Sequence, residues 1–441
     1  MKRLWLVLLS LGMIVAVSTS AFAVDVKVSG NFFVGGMYLD KTTLKKDTVT
    51  DGPSTAFYFQ RLRVQTDFIV SPGLTLTTRF DAMERAWGAN RSAPGMTPDT
   101  QSAGTRAENE NIAFDYAYVT YRSPIGVFAV GMQPNSTWGT VFGNTLTPIG
   151  KIKDTLSIGN LTMIVQVAKS QEWSTTANNL VGYADADTDF YYLAGTYKFK
   201  PGIAGMMIAV ADNKASRPTL KGDFTARYAY VEPYFIFKFG PVDVEGELQY
   251  AFGKTKKYDN ASPDVDLSQW AGYINATATF KPVYVGATFA YVGGDDPGTK
   301  DKQEGGVLTG GNDWNPCLIL WSYDRAYWAG PLRGHSAVTA EANGTNMTNA
   351  FFYQIRAGVK PVDKLDIMAS VSYAYADQKP TGYENKEYGW EVDLAGTYKI
   401  TNNLSYMLGF GYLFTGDYFK GTTNGNIADD FLVINKLTLT F

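Results

Sequence analysis

Side chains alternate along most of this chain, and the alternation limits what it can fold into. In the stretch 387–400, Tyr388, Trp390, Val392, Leu394, Tyr398 and Ile400 fall at every second position, with Gly396 the one gap. Between them stand Glu387, Gly389, Glu391, Asp393, Ala395, Thr397 and Lys399. An extended strand sends the two sets to opposite faces. The same split returns from Val26 to Phe441, with short turns alternating with long polar loops. A soluble sandwich would bury each apolar face against a second sheet. A run of such strands, apolar on one side and polar on the other, fits a closed barrel with its apolar face in lipid. The expected fold is all-β, a transmembrane antiparallel up-and-down β-barrel.

The rest of the composition agrees. Aromatic residues make up 14% of the chain, with 28 Tyr and 26 Phe, enough for belts of rings at both membrane interfaces. No stretch after the N-terminus has the roughly 18 uninterrupted apolar residues of a spanning helix. The N-terminus reads as a cleaved signal peptide over residues 1–23. Lys2 and Arg3 are its charged start, Leu4 to Val17 its apolar core, and Ala21-Phe22-Ala23 its cleavage site. The mature chain is expected to be one barrel domain, residues 24–441. A net charge of −3 gives no reason to expect a nucleic-acid partner. The single cysteine, Cys317, has no intramolecular disulfide partner and reads as an incidental loop thiol.

Strands are expected at 25–39, 55–70, 74–85, 111–122, 127–134, 151–158, 161–169, 188–199 and 205–212. The series continues at 223–238, 242–253, 268–281, 283–292, 351–361, 365–376, 387–400, 404–414 and 430–441. That is about 18 strands, with 16 as the alternative count, and both ends on one side. Tight turns such as Ser71-Pro72-Gly73 belong on the periplasmic side and long loops outside. The longest, 293–350, is expected to be extracellular. It carries Trp314, Trp321 and Trp328 around Leu318-Ile319-Leu320, which suits packing over the mouth, over a neighbouring subunit or against a partner.

At this point the sequence resembles the general diffusion porins of Gram-negative bacterial outer membranes. The first strand, Val24 to Gly30, starts at the expected cleavage site. The last ends in Phe441 with Leu439 and Leu437 on the same face, similar to the family's terminal assembly signal. Asn435 and Leu439 depart from its usual pattern. Gly131-Met132-Gln133-Pro134 followed by the segment 135–150 looks like the entry to the family's inward-folded constriction loop, with Ala129 and Gly131 leaving room for it. The resemblance implies a water-filled outer-membrane channel for passive diffusion of ions and small hydrophilic solutes. It also implies contact with outer-membrane lipid and a homotrimer, with no cofactor and no metal.

Alternation also sorts the lumen. Arg61 and Arg63 fall on the polar face of the second strand, Arg79 and Arg85 on that of the third, and Lys151 and Lys153 on that of the sixth. Arg or Lys on the lipid side near the midplane would cost roughly 2–4 kcal/mol, which favours this register. Asp243, Glu245 and Glu247 line the eleventh strand, about opposite; Glu391 and Asp393 also point inward but nearer the basic wall, where pairing of neighbouring opposite charges is the alternative to a separated field. A basic wall facing an acidic one would set a transverse field across the pore. The constriction loop itself has no Asp or Glu and offers Asn135, Trp138, Phe142 and Asn144. The arginines would then lack a local partner, so mild anion selectivity is expected.

Three other functions compete with the general channel. A substrate-specific channel is the nearest, but the inward aromatics Phe57, Phe59 and Tyr284 form no continuous track. A sheath for an outer-membrane electron-transfer complex would need a wide, loop-free lumen. An enzyme is not expected: the only histidine, His335, sits in a loop with no nucleophile motif. Asp295, Asp296 and Asp301 read as a solvated acidic loop rather than a calcium site.

Overall fold

The computed structural model describes residues 24–46, 52–89, 112–135, 137–172, 187–214, 224–335, 346–423 and 425–441. The expected leader, 1–23, and most of the expected loop 86–110 lie outside them. The chain forms β1 (Asp25–Leu39), β2 (Thr55–Ser71), β3 (Leu74–Ala86), β4 (Ile112–Ser123), β5 (Gly126–Pro134) and β6 (Pro148–Ile158). Next come β7 (Leu161–Gln171), β8 (Thr188–Phe199), β9 (Gly202–Asn213), β10 (Phe224–Phe239), β11 (Val242–Tyr258), β12 (Val265–Phe280) and β13 (Val283–Val292). After the two-residue β14 (Lys302–Gln303) follow β15 (Ala350–Val362), β16 (Leu365–Ala376), β17 (Glu387–Lys399), β18 (Leu404–Thr415) and β19 (Asp430–Thr440). β14 is a side piece, parallel to Asp266 and Leu267 of β12. The other 18 strands are antiparallel neighbours in one ring.

Closure comes from β1, which pairs with β2 on one side and β19 on the other. The seam runs from Asn31 opposite Thr440 to Leu39 opposite Leu432. It is locked at the end by Gly30 N to Phe441 O at 2.8 Å and Phe441 N to Gly30 O at 3.1 Å. A ring has no edge, so every barrel strand can satisfy its backbone groups within the sheet, as a bilayer demands. Among the described residues no helix is long and apolar enough to cross a membrane; strands do the crossing.

Alternation sorts the faces as expected over most of the ring. Ile355 and Leu394 are 66% and 49% exposed on the outer wall, whereas Glu391 is fully buried on the inner one. Rings gather at both rims. Tyr250 stacks on Trp270 at 4.1 Å and Tyr373 lies 4.5 Å from Trp390 on the long-loop side. Phe237 contacts Phe199 at 5.5 Å and Phe239 at 5.9 Å beside the tight turns. These are the two aromatic girdles of a membrane barrel.

Two bulges overturn local face assignments. The β2–β3 register shifts next to Leu62, where Met83 adopts φ 53. Beyond it Glu84, not Arg85, turns in towards Arg61. Arg85 leaves the face that Arg63, Arg79 and Asp81 share, and donates to Ala89 O at 2.9 Å. In β17 the register shifts beside Gly389, which has φ 126. Tyr388 therefore faces inward and is fully buried, although Trp390 faces out. One extra residue in a strand inverts the phase on one side of it.

The segment after β13 packs more deeply than its tryptophans alone suggest. Its described stretch 310–332 folds into the barrel. Its short helix α1 (Tyr323–Ala329) starts at Ser322, whose side chain accepts from Arg325 N at 3.4 Å. Trp328 of α1 stacks on Phe59 at 4.7 Å and meets Phe33 edge-on at 6.4 Å. Trp321 packs against Phe352 and Tyr388. The inward aromatics at 57 and 59 thus serve as a platform for this loop. Lys436 of β19 holds Asp324 at 2.7 Å, and Arg325 lies 3.9 Å from Asp430.

The face assignment makes a direct prediction. Leu394→Arg, mid-strand on the outer wall, should destabilise the folded barrel by about 2–4 kcal/mol. Urea titration of folding into lipid vesicles measures this; an unchanged midpoint would place Leu394 off the lipid face.

Candidate functional site

The interior is built by two loops that meet inside the ring. The first, 135–147 between β5 and β6, follows the backbone pair Asn135 N to Thr147 O at 2.9 Å and crosses to the far wall. There Thr140 donates to Glu247 of β11 through its backbone N at 2.7 Å and its Oγ1 at 2.9 Å. Gln249 holds the other carboxylate oxygen at 2.7 Å. A Cβ on Gly139 or Gly143 would run into this carboxylate, so the close approach needs glycine at both places. Trp138 donates to Glu232 O at 3.0 Å and packs edge-on against Tyr234. Phe142 is fully buried and stacks on Tyr273 at 5.1 Å.

The second loop joins the first. Gly311 N donates to Phe142 O at 2.5 Å, Asp313 N to Asn144 O at 3.1 Å and Asn312 N to Thr145 Oγ1 at 3.0 Å. Trp314 closes on Phe142 edge-on. The second loop is pinned at its other side by Glu391, which accepts from Leu318 N at 3.0 Å, Ile319 N at 2.6 Å and Leu320 N at 2.8 Å. Three successive amides on one buried carboxylate form an anion nest. Cys317 lies beside it, buried, its Sγ 3.3 Å from Ser372 Oγ. Its sulfur and the Glu391 and Asp393 oxygens lie within 4.8 Å of one another. Both Glu391 oxygens are committed to backbone amides, so the trio serves as the loop's anchor and is poorly suited to a cation.

Together the loops divide the lumen. One cavity, of about 560 Å³, lies along β2 to β4 and is lined by Arg61, Arg63, Arg79 and, on the loop side, Asp313 and Tyr327. The other, of about 320 Å³, lies along β6 to β11 and takes in Asn135, Lys151, Lys153, Tyr192 and Glu232.

The charges are arranged otherwise than the alternation suggested. Arg63 grips Asp81 with two hydrogen bonds at 2.6 Å. Arg79 holds Asp115 at 2.9 Å and lies 3.6 Å over the Tyr116 ring, and Arg61 reaches Glu84 at 3.4 Å. The arginine wall therefore carries its own counter-ions. About opposite it, on β11, Glu247 is capped by loop backbone and Glu245 accepts from Tyr273 at 2.7 Å and Asn275 at 3.2 Å; Glu391 of β17, nearer the arginines, is capped by loop backbone too. Asp393 faces Ser370 at 3.4 Å, and Asp243 pairs with Lys238 at 2.7 Å near the turn. No bare transverse field joins the two walls. Lys151 donates to Pro134 O at 2.5 Å, beside the first loop's entry.

Lumen residues that the alternation does not single out include Glu84, Asp115, Glu232 and Arg356. Arg356 binds Thr288 at 2.8 Å, Asn275 at 2.7 Å and Thr277 at 2.6 Å. Glu84 and Asp115 sit at register shifts, which break the alternation that would have found them. Glu232 lies among aromatics on both faces of β10, so its strand shows little polar contrast. Elsewhere, Asp295 and Asp296 cap nearby amides of their own loop, and His335 contacts Asn426 O at 2.6 Å at the surface.

The model of the Gram-negative porin family matches residues 10–418. The chain belongs to that family. The porin is accordingly an outer-membrane channel that solutes traverse, and not an enzyme. Among curated proteins none matches its sequence. Solved structures share its fold. OccK9 (OpdG) of Pseudomonas aeruginosa is 14% identical, with TM-score 0.54 over 95% of this chain and 99% of that one. A BenF-like porin from Pseudomonas fluorescens is 11% identical, with TM-score 0.52 over 94% and 99%. OprD from Pseudomonas aeruginosa is 12% identical, with TM-score 0.51 over 96% of each chain.

The docking of the first loop can be tested directly. Glu247→Ala removes a carboxylate that holds Thr140 twice, where charged hydrogen bonds contribute about 1.5–3 kcal/mol each. Single-channel records of this porin variant should show higher mean conductance and open-state flicker absent from the parent. A record identical to the parent's would mean that Glu247 does not hold the loop.

Proposed function

We propose that the protein is a solute-selective channel for small polar organic molecules, rather than a wide pore for general diffusion. The observation that carries this reading is the junction of the two loops through Gly311, Asn312 and Asp313. It fills the centre of the lumen and leaves cavities of about 320 and 560 Å³, the size range of small-molecule sites. A general diffusion pore would keep one wide aqueous path.

Ion preference in this reading is weak. Arg61, Arg63 and Arg79 are matched by Glu84, Asp81 and Asp115, which argues against anion selectivity from that wall. Lys151 and Lys153 leave a positive patch in the smaller cavity only. The family likeness supplies the remaining parts of the proposal. They are a leader cleaved after Ala23, Phe441 and Leu439 as the assembly signal, and a homotrimer. N-terminal sequencing and the mass of the folded species in detergent test the first and the last.

In planar bilayers the channel should conduct poorly and give a reversal potential near zero in a salt gradient. Small organic solutes should block its current saturably. Conductance that falls smoothly with solute size, without saturable block, would return the protein to general diffusion.

A further inference from the structure

The smaller cavity differs from the rest of the lumen in how its charges are satisfied. Most charges elsewhere are matched or capped: Arg63 by Asp81, Arg79 by Asp115, Lys436 by Asp324, Glu247 and Glu391 by loop amides; Asp313 in the larger cavity stands outside these pairs but faces no unpaired cation there. In this cavity, among the described residues, Lys153 has no hydrogen bond or ion pair, and neither does the Glu232 carboxylate. Both are half-buried, and both line the same space. Lys151 stands beside Lys153 on the same face of β6, spending one donor on Pro134 and keeping two. Glu232 is on β10, four strands away, which is about 19 Å along the wall at ~4.8 Å per strand. Two long side chains pointing inward across that arc leave a gap of solute size between their charges. A partly buried charge without a partner is costly, and a ligand that supplies the partner recovers that cost.

The surface between the charges sets an aromatic and aliphatic patch among polar groups such as Asn135 and Gln166. Tyr192, Tyr230 and Trp138 form one side, and Ala194 and Met207 the floor. Ala194, small and buried on β8, takes little space in that wall.

Resting on the reading of a solute-selective channel, we propose that this cavity recognises a small zwitterion. Its carboxylate lies towards Lys151 and Lys153, its ammonium towards Glu232, and its apolar body against Tyr192, Tyr230 and Trp138. A simple anion would leave Glu232 unmatched and bring a like charge near it. A simple cation would do the same to the two lysines. The site therefore selects by rejecting each singly charged analogue as well as by attracting the doubly charged one.

The test uses three solutes of one shape in single-channel recordings of the full chain at neutral pH: leucine, 4-methylpentanoate and 3-methylbutylamine. Leucine should block saturably at a concentration about tenfold below either analogue, equivalent to about 1.4 kcal/mol. Glu232→Gln should abolish its advantage over the carboxylate, and Lys153→Gln its advantage over the amine. Equal block by leucine and 4-methylpentanoate, stronger block by either analogue, or an advantage that survives Glu232→Gln overturns the zwitterion assignment while leaving a selective channel. Absence of saturable block by all three, with conductance following solute size, overturns the selective channel itself. The order of the three solutes in the unmodified channel decides the matter if a variant does not fold.

Discussion

Closure of β19 on β1 is the constraint from which the rest of the structure follows. A bilayer offers no water to an unpaired amide, so a strand can cross only if both its edges are bonded. The nine-residue seam from Asn31 to Leu39 removes the last two edges at once. Once the ring is closed, pleating leaves no freedom in the sorting of side chains. Every residue between the rims faces either lipid or lumen, and the lipid side admits little but apolar groups and rim aromatics. Chemical variety is confined to the inner face and to the loops that enter it.

Inside, the dominant device is a carboxylate that receives backbone amides. Glu247 fixes the first loop through Thr140, and Glu391 fixes the second through three amides in a row. Loop backbone inside a narrow barrel has lost water without gaining a sheet, and its donors need acceptors. An acid from the wall meets that need and is neutralised by it. The same economy explains the arginines, whose partners Asp81, Glu84 and Asp115 lie on β3 and β4, the two strands that follow β2. Charge in this lumen is used first for structure.

Period-two sorting made the fold legible. It yields 18 strands, the placement of tight turns, the outward set around Leu394 and Ile355, and the inward position of Arg61, Arg63, Arg79, Lys151 and Glu247. Its errors share one cause. At Met83 and at Gly389 a single extra residue inverts the phase, and Arg85 and Tyr388 change sides. Nothing in the local pattern marks a bulge beyond one glycine. The path of the segment after β13 was hidden for another reason. Its tryptophans announce packing, but their partners Phe33, Phe59, Phe352 and Tyr388 come from four different strands, and contacts of that sequence separation leave no periodic trace. The first loop's entry was legible from residues 131–134, whereas its attachment to Glu247 was not, because Glu247 looked like one more pore-lining acid.

In the proposed solute-selective reading, the partition of the lumen does what pore diameter alone would not. A single central opening samples the average charge of its wall, most of which is here paired or capped. Two lateral spaces sample different sectors. The space along β2 to β4 is bounded mainly by ion pairs already closed on themselves, with Asp313 on the loop side outside them, so a passing solute meets a polar surface whose cations are taken. The space along β6 to β11 is bounded by Lys151, Lys153 and Glu232 in an arc of tyrosines, so a solute there meets charges held apart. Because the divider is anchored to both walls by buried carboxylates, the two spaces stay distinct only while Glu247 and Glu391 keep their amides. Selectivity in such a channel depends on acids that the solute never touches.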